Sequence, residues 1–572
     1  MTRSPGDSSR YQVALRPPSQ VMRLARMGAF YASRLSFMRV LLRTIKREGW
    51  RFDRRVWRID DSGVGVATYC AIGPERTYTL VAYSHDLPDK MRSDRVIAEA
   101  WDATFTLFDG EPTEADIDRL SRNVPLQEAG RVSQSELVLS RANRSVRLFD
   151  HVIDRLAAGQ QPDLAQVEAV GYLMRTTAVY GSGKFGAADR SIWADRPEFR
   201  GSFQPEMLTV WLIRAFTLDI VEHLAEASAR GHGNGAAARI DPALRRRFGV
   251  GNSTGLGMAP YLVSHPALIH TWMAARETAL ARVRAVPTAQ AEARANFADL
   301  VARARENAHT WTSAHALQSA KIEGLRADLA GLTEHLAAGA LSERQPWEQL
   351  YRWAEGTLSL EGQEQLVSLM LEPYPELVDD LAEGMSADED ADFQIDGTMR
   401  LRRLSEILAD VYGWALATDF TAREPRARVW YVSEEKLEPR LGERFEEPIE
   451  PFEQPLGPGR DAALLERAMI GWDPAETVAA FLLRHPEHRH IIRRAQTVGR
   501  NPYAEIRDNT IADTMLPIDL LRCKLSFFGA TRFDPRSDRW IRIIMFQGAP
   551  YPHELAECDP DEWTYPPARS TP

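Results

Sequence analysis

Residues 207–221 constrain the fold of this chain most, because the segment is apolar around nearly its whole circumference and only Arg214 and Asp219 are charged. A helix of this kind must be covered on all sides, which predicts a place in the middle of a helical bundle. Charged side chains in such a helix need partners, since an unpaired buried charge is costly. We expect a structural ion pair there, with a functional site as the alternative.

Helical periodicity continues over most of the chain between residues 113 and 415. The chain is therefore expected to be mainly α, in an α+β arrangement with a large central helical bundle. The clearest predicted helices are residues 133–158, 164–179, 205–227, 266–283 and 289–306.

Short strand-like runs precede this helical region and are separated by Gly- and Pro-containing turns at residues 61–63 and 73–74. They predict a small N-terminal antiparallel β lobe, followed after the bundle by a mixed C-terminal region. The runs are residues 54–60, 64–72, 77–83 and 104–108. The expected divisions are 1–49 (basic arm and amphipathic helix), 50–115 (β lobe), 116–415 (bundle) and 416–572, with a Pro/Glu-rich loop at 439–460.

The N-terminal region is strongly basic although the whole chain has a formal net charge of -10. Residues 1–58 hold thirteen arginines and one lysine against three acids, and residues 20–47 show the apolar stripe of an amphipathic helix. This helix is expected to dock on the acidic body of its own chain or on another subunit. The alternative is contact with an anionic partner such as a membrane; the acidic total argues against DNA.

Cysteine content and hydropathy predict the compartment. The three cysteines form no CxxC pair, so neither a disulfide framework nor a Cys-rich zinc site is expected. No run of eighteen apolar residues and no signal-peptide pattern occurs. We therefore expect a cytoplasmic protein.

Residues 249–266 combine four glycines with small polar side chains, and a helical pattern follows them. Backbone N–H groups in such a turn form an anion site, strengthened by the helix dipole. Thr254 stands where the dinucleotide fingerprint requires glycine, so that motif is excluded. His265 closes the stretch and is predicted to transfer protons, while Ser253 is predicted to position or attack the substrate. The expected ligand-binding residues are Asn252, Thr254 and Gly255. The alternative is a helix-capping loop.

Residues 180–190 form a second glycine-rich stretch, which holds one of only six lysines in the chain. Lys184 is predicted to clamp a carboxylate or phosphate, or to form a Schiff base. Tyr180 is a candidate for proton transfer, and Ser182 and Gly183 are candidates for substrate binding. Phe185 stands where a P-loop needs Ser or Thr, so a nucleoside triphosphatase is not expected. The alternative is a surface loop without a role.

Residues 500–519 form a third polar stretch, in which Arg507 and Asn509 are predicted to bind substrate. Tyr503 and Asp508 are further acid and base candidates, although helix caps and surface ion pairs would produce the same pattern. Cys523, within an apolar stripe, is expected to be a core residue. The histidine cluster at residues 485–490 lacks the spacing of a zinc motif and is expected to begin a helix, so no metal site is predicted.

Together these patterns favour an enzyme that acts on a small carboxylate- or phosphate-bearing metabolite, by proton transfer and elimination or by hydrolysis. Its site would be built from residues 180–190 and 249–266, and the protein is expected to be a homo-oligomer. No cofactor is predicted, because no Walker, Rossmann or zinc signature is present. One alternative is a non-catalytic binding or assembly protein that docks through the basic N-terminal helix. Another is a nucleotide- or flavin-using enzyme without a recognisable motif.

Overall fold

The chain folds into two units, each assembled from segments that lie far apart in the sequence. The structure, a computed structural model, describes residues 13–88, 100–123, 133–176, 186–187, 193, 196–199, 201, 203–233, 235–254, 265–313, 316–385, 394–420, 430–432, 439–441, 454–455, 457–507, 517–530, 532–534 and 541–563. Unit 1 comprises Met1–Ala29, Leu256–Ala298 and His315–Cys523, and unit 2 comprises Phe30–Gly255, Asp299–Ala314 and Lys524–Pro572. The four predicted divisions follow the order of the chain, whereas these units do not.

Helices and strands both contribute, so the predicted mixture of α and β structure is confirmed. The strands are β1 (Arg51–Ile59), β2 (Gly65–Ile72), β3 (Thr77–Ser84), β4 (Ala103–Asp109), β5 (Glu136–Arg144), β6 (Tyr172–Thr176), β7 (Gly186–Ala187), β8 (Gly249–Thr254), β9 (Trp430–Val432), β10 (Pro439–Leu441), β11 (Gln454–Pro455), β12 (Arg532–Asp534) and β13 (Ile541–Met545).

The helices are α1 (Pro18–Val21), α2 (Leu24–Met27), α3 (Phe37–Arg47), α4 (Glu114–Asn123), α5 (Phe149–Ala157), α6 (Leu164–Val170), α7 (Gln204–Gly231), α8 (Pro242–Arg247), α9 (Pro266–Arg284), α10 (Ala291–His309), α11 (Ala316–Ala337), α12 (Pro346–Thr357), α13 (Leu360–Met370), α14 (Pro375–Val378), α15 (Leu401–Leu416), α16 (Pro458–Met469), α17 (Val478–Arg484), α18 (Arg489–Arg500) and α19 (Pro517–Phe528). Short 3-10 turns cover Pro197–Phe199, Asp379–Gly384 and Pro486–His488.

Unit 2 is built on a ten-stranded sheet of order β1-β2-β3-β4-β5-β6-β8-β13-β12, with β7 paired to β5. Strands β1 to β4 form the antiparallel meander that the sequence predicts, with Gly63 at φ 84° in the first turn. The sheet is much larger than the predicted small lobe, because β5, β6, β8 and β13 extend it. Strands β6 and β8 pair in parallel, unlike the other pairs in this sheet.

Two of the predicted helices are only partly helical, because the structure has a strand in one part of each. Residues 133–158 form β5 and then α5, because β5 is buried on both faces and lacks the alternation that marks a half-exposed strand. Residues 164–176 form α6 and then β6, and residues 177–179 lie outside the described part of the chain. Gly171, at φ 72°, ends α6 in a left-handed C-terminal cap, whose N–H donates to the carbonyl of Val167.

The first part of the glycine-rich stretch, from Gly249 to Thr254, is a strand and not a helix-capping loop. Two of its glycines are required by close packing. A Cβ on Gly249 would lie 2.4 Å from the carbonyl oxygen of Met545, and a Cβ on Gly251 would lie 2.9 Å from the ring of Tyr172. The lack of side chains therefore serves the approach of neighbouring strands.

The predicted N-terminal helix over residues 20–47 is divided into α1, α2 and α3. Gly28 lies at the break, where a Cβ would stand only 2.2 Å from the amide nitrogen of Cys523. Helix α3 is largely buried, and its Arg39 and Arg43 form ion pairs with Asp561 of the same unit at 2.9 and 3.3 Å. The expected docking on its own chain is thus observed for α3.

Helix α7 contains the apolar segment with Arg214 and Asp219. It contacts strands β3, β4, β5, β6 and β8 and helices α3 and α5, so both a sheet and helices cover it, where the sequence predicts a helical bundle. Asp219 pairs with Arg54 at 2.8 Å, as expected of a structural ion pair. Arg214 instead donates to the carbonyl oxygens of Phe248 and Ala549, at 2.6 and 2.7 Å.

Where its residues are described, unit 1 is helical apart from the three short strands β9 to β11. One apolar core is formed by α15, α16, α17 and α18. A buried ionic cluster also lies in unit 1, where Arg16 donates to Glu277 at 2.7 Å and to Glu364 at 2.8 Å. Among the described residues, no helix is both long enough and apolar enough to cross a membrane.

Candidate functional site

Strands β6 and β8 end together at one edge of the sheet of unit 2. Their parallel register pairs Tyr172 with Gly249 and Arg175 with Gly251, so the carboxyl ends of both strands point the same way. The two glycine-rich stretches continue directly from these ends, after Thr176 and Thr254. Ligands of sheets with parallel strands commonly bind outside such ends, which makes this edge the first place to look for a site.

Asn252 connects the two strand ends. Its side-chain Nδ2 donates a hydrogen bond of 2.9 Å to the carbonyl oxygen of Thr176, and the side chain is fully buried. The hydroxyls of Thr176 and Ser140, on the adjacent strand β5, lie 2.6 Å apart. Polar groups from three neighbouring strands therefore meet within the core of unit 2.

Lys524 extends this polar group from helix α19. Its Nζ donates to Oδ1 of Asn252 at 2.8 Å, and the side chain is only 2% exposed. Burial lowers the pKa of Lys524 well below its ordinary value of 10.5, because the charged ammonium is poorly solvated there. A lowered pKa increases the fraction of neutral amine, which can take up a proton or attack a carbonyl carbon, as the ammonium form cannot.

The described candidates are divided between the two units. Asn252 lies in unit 2, whereas His265 and Arg507 belong to unit 1. Ser253 and Thr254 continue β8, where they pair in register with Arg542 and Ile541 of β13. The candidates that lie outside the described residues are Tyr180, Ser182, Gly183, Lys184, Gly255 and Asn509.

His265 immediately precedes α9, and its carbonyl oxygen accepts a hydrogen bond of 3.2 Å from the amide of Ile269. Arg507 lines a cavity of about 380 Å³ in unit 1 and donates to the carbonyl oxygen of Asp410 at 3.3 Å. The roles predicted for these two residues stay predictions.

Two further expectations concern residues now placed in the core of unit 1. Tyr503 is buried, and its hydroxyl donates to the carbonyl oxygen of Arg16 at 2.7 Å, as a structural tyrosine does. Cys523 is fully buried, and burial raises the pKa of its thiol to about 12. Its assignment as a core residue is confirmed.

Sequence analysis missed Lys524 as a site residue. It lies four positions after Leu520 and four before Phe528, within the apolar stripe of α19. A lysine inside such a stripe must either be buried with a polar partner or extend its amine to solvent, and this pattern could have identified Lys524. The partner, Asn252, lies on a distant segment and could not be identified from local spacing.

Within the described parts of the chain, no group of three or more His, Cys, Asp or Glu side chains is placed to hold a metal ion. Comparison with protein-family models, with curated proteins and with solved structures finds no significant match.

Proposed function

We propose that this chain is an enzyme that acts on a small carboxylate- or phosphate-bearing metabolite by proton transfer, at the carboxyl edge of β6 and β8. The observation that carries the proposal is the buried hydrogen-bonded series from Lys524 to Asn252 to Thr176. A buried amine costs stability unless something offsets it, so its hydrogen bond to Asn252, near the end of β8, favours a chemical role.

In this proposal Lys524 is the general base. Its neutral amine removes a proton from the carbon next to the carboxylate or carbonyl of the substrate, forming an N–H bond as the C–H bond breaks. The electron pair left on carbon moves toward the carbonyl oxygen or expels a leaving group from the adjacent carbon. Asn252 holds the amine in place, and the resulting ammonium returns its proton to solvent or to product.

The substrate's anionic group would be bound by the segments that follow the two strands. Residues 177–185 and Gly255 would supply glycine N–H groups, and Lys184 would supply a positive charge. The alternative reaction is hydrolysis, with Ser253 as the attacking group. We place the enzyme in the cytoplasm, without a cofactor and as a homo-oligomer.

A thermal-shift screen of small dicarboxylates, hydroxy acids, amino acids and phosphate esters tests ligand binding first. Each compound that stabilises the protein is then incubated with it in D2O, and ¹H NMR follows loss of the signal from the proton next to the carboxylate. We expect the wild type to catalyse this exchange and both Lys524→Met and Asn252→Ala to lose it.

Asn143→Ala is the matched control, because Asn143 is a buried asparagine of the same sheet that bonds to Ala100 and Asp102. Exchange should survive that change. Exchange that persists at the wild-type rate in Lys524→Met would rule out Lys524 as the base.

A further inference from the structure

Unit 2 contains a cavity of about 540 Å³, which lies between strands β1 and β2, helix α7 and the segment around Tyr551. This volume lies in the range of small-molecule sites. Tyr69 and Asp219 lie inside it, and the phenol donates to the carboxylate at 2.7 Å. The site proposed above includes none of these residues.

A β-bulge in β1 brings three side chains of this cavity onto one face of the strand. Pairing with β2 runs from Arg54 opposite Tyr69 directly to Val56 opposite Thr68, which leaves one extra residue in β1. Phe52, Arg54 and Trp57 therefore share a face, although Trp57 has an odd number and the other two have even numbers. Bulges often re-aim side chains beside functional sites, and here two half-exposed rings line the same cavity.

The charges that line the cavity are already compensated. Each carboxylate lies within ion-pair distance of a guanidinium group. Asp219 lies 2.8 Å from Arg54, and Glu222 lies 2.9 Å from Arg245. Glu226 lies 3.7 Å from Arg239, and Asp53 lies 3.4 Å from Arg55. An anionic ligand would face the carboxylates, and a cationic ligand would face the arginines, so neither gains a large net attraction.

An Asp–Arg pair offers a hydrogen-bond acceptor and a donor side by side. Two neighbouring hydroxyl groups of a sugar are complementary to such a pair, since each hydroxyl both donates and accepts. The apolar C–H face of a sugar ring packs on aromatic rings such as that of Phe52, and Trp57 offers the part of its ring that the guanidinium of Arg54, 4.7 Å from the ring centroid, leaves uncovered. We propose that this cavity binds a neutral carbohydrate of one or two sugar units.

The full chain is titrated calorimetrically with maltose, cellobiose and diacetylchitobiose, and with glucose 6-phosphate and glucosamine as anionic and cationic comparisons. At least one neutral disaccharide should bind more tightly than both charged sugars. Trp57→Ala should weaken that binding by about tenfold, as expected for an aromatic anchor. Trp353→Ala, which removes a half-exposed tryptophan of unit 1, should leave it unchanged.

Asp219→Asn gives a second readout that does not depend on a ring. This change leaves the charge of Arg54 uncompensated, so the variant should bind the neutral sugar less tightly and glucose 6-phosphate more tightly than the wild type does. Circular dichroism identifies a variant that fails to fold. The proposal is wrong if no neutral disaccharide binds, if a charged sugar binds best to the wild type, or if folded Trp57→Ala binds as the wild type does.

Discussion

The side-chain amine of Lys524 and the side-chain carbonyl of Asn252 are 272 residues apart in the chain and meet at 2.8 Å in the core of unit 2. The contact joins the helix α19 to the strand β8, whose neighbour β6 is joined in turn by the amide of Asn252. A lysine held in this way has little solvation, and its protonation is therefore coupled to folding.

Replacement of Lys524 by methionine should change the pH dependence of stability. The folded pKa of Lys524 lies below 10.5, so between the folded pKa and about 10.5 the folded state binds fewer protons than the unfolded state. The free energy of unfolding of the wild type therefore rises with pH in this window, by at most about 1.4 kcal/mol per pH unit from this group.

The methionine variant lacks this contribution. It should be more stable than the wild type near neutral pH, and its advantage should shrink as the pH approaches about 10.5. Urea denaturation of both proteins across this range measures the difference. Parallel stability curves for the two proteins would show that Lys524 titrates in the folded state as it does in the unfolded chain.

Acid should weaken the buried ionic cluster of unit 1 through Glu364. Burial opposes the ionisation of Glu364, but the guanidinium groups of Arg16 and Arg276 outweigh it and lower the pKa from 4.5 to about 2. The stabilisation is present above about 4.5 and is lost as the pH falls toward about 2.

Glu364→Gln should lower the free energy of unfolding by about 3 to 5 kcal/mol at neutral pH, because it leaves buried arginines without their carboxylate. Glu323→Gln, in an exposed pair with Arg326, should cost less than about 1 kcal/mol. Denaturation midpoints at neutral and acidic pH test both. Equal losses in the two variants would contradict a special role for the buried cluster.

Gly28→Ala should destabilise the protein although Gly28 has an ordinary backbone conformation, with φ at -132°. The new methyl group would overlap the backbone of Arg522 and Cys523, and such overpacking costs about 1 to 3 kcal/mol. Gly324→Ala is the control, since Gly324 lies within α11 and a Cβ there meets no atom within 4 Å. The control should gain about 0.4 to 1 kcal/mol, and thermal melts distinguish the opposite signs.

Asp561→Asn should loosen α3 from unit 2. Burial opposes the ionisation of Asp561, but Arg39, Arg43 and Arg34 together hold its pKa below the ordinary value. Loss of the charge should cost about 3 kcal/mol, since Arg39 is buried. Hydrogen exchange of the α3 amides should accelerate, whereas Glu557→Gln, at an exposed position nearby, should leave exchange unchanged.

The sequence by itself determined those elements that local pattern specifies. Strands β1 to β4 follow from short strand-like runs bounded by turn residues, and the helices of unit 1 follow from their apolar periodicity. The core position of Cys523 was also predicted correctly. In each of these cases the residues that decide the structure lie close together in the sequence.

Only the tertiary structure decided the centre of unit 2. Strand β5 is buried on both faces and therefore resembles a helix in sequence, and the glycines of β8 are required by Met545 and Tyr172 on other strands. The bonds of Asn252 to Thr176 and Lys524 join three segments that no local rule connects. Long-range packing determines which strands pair and which polar side chains are buried together, and this chain's candidate site depends on both.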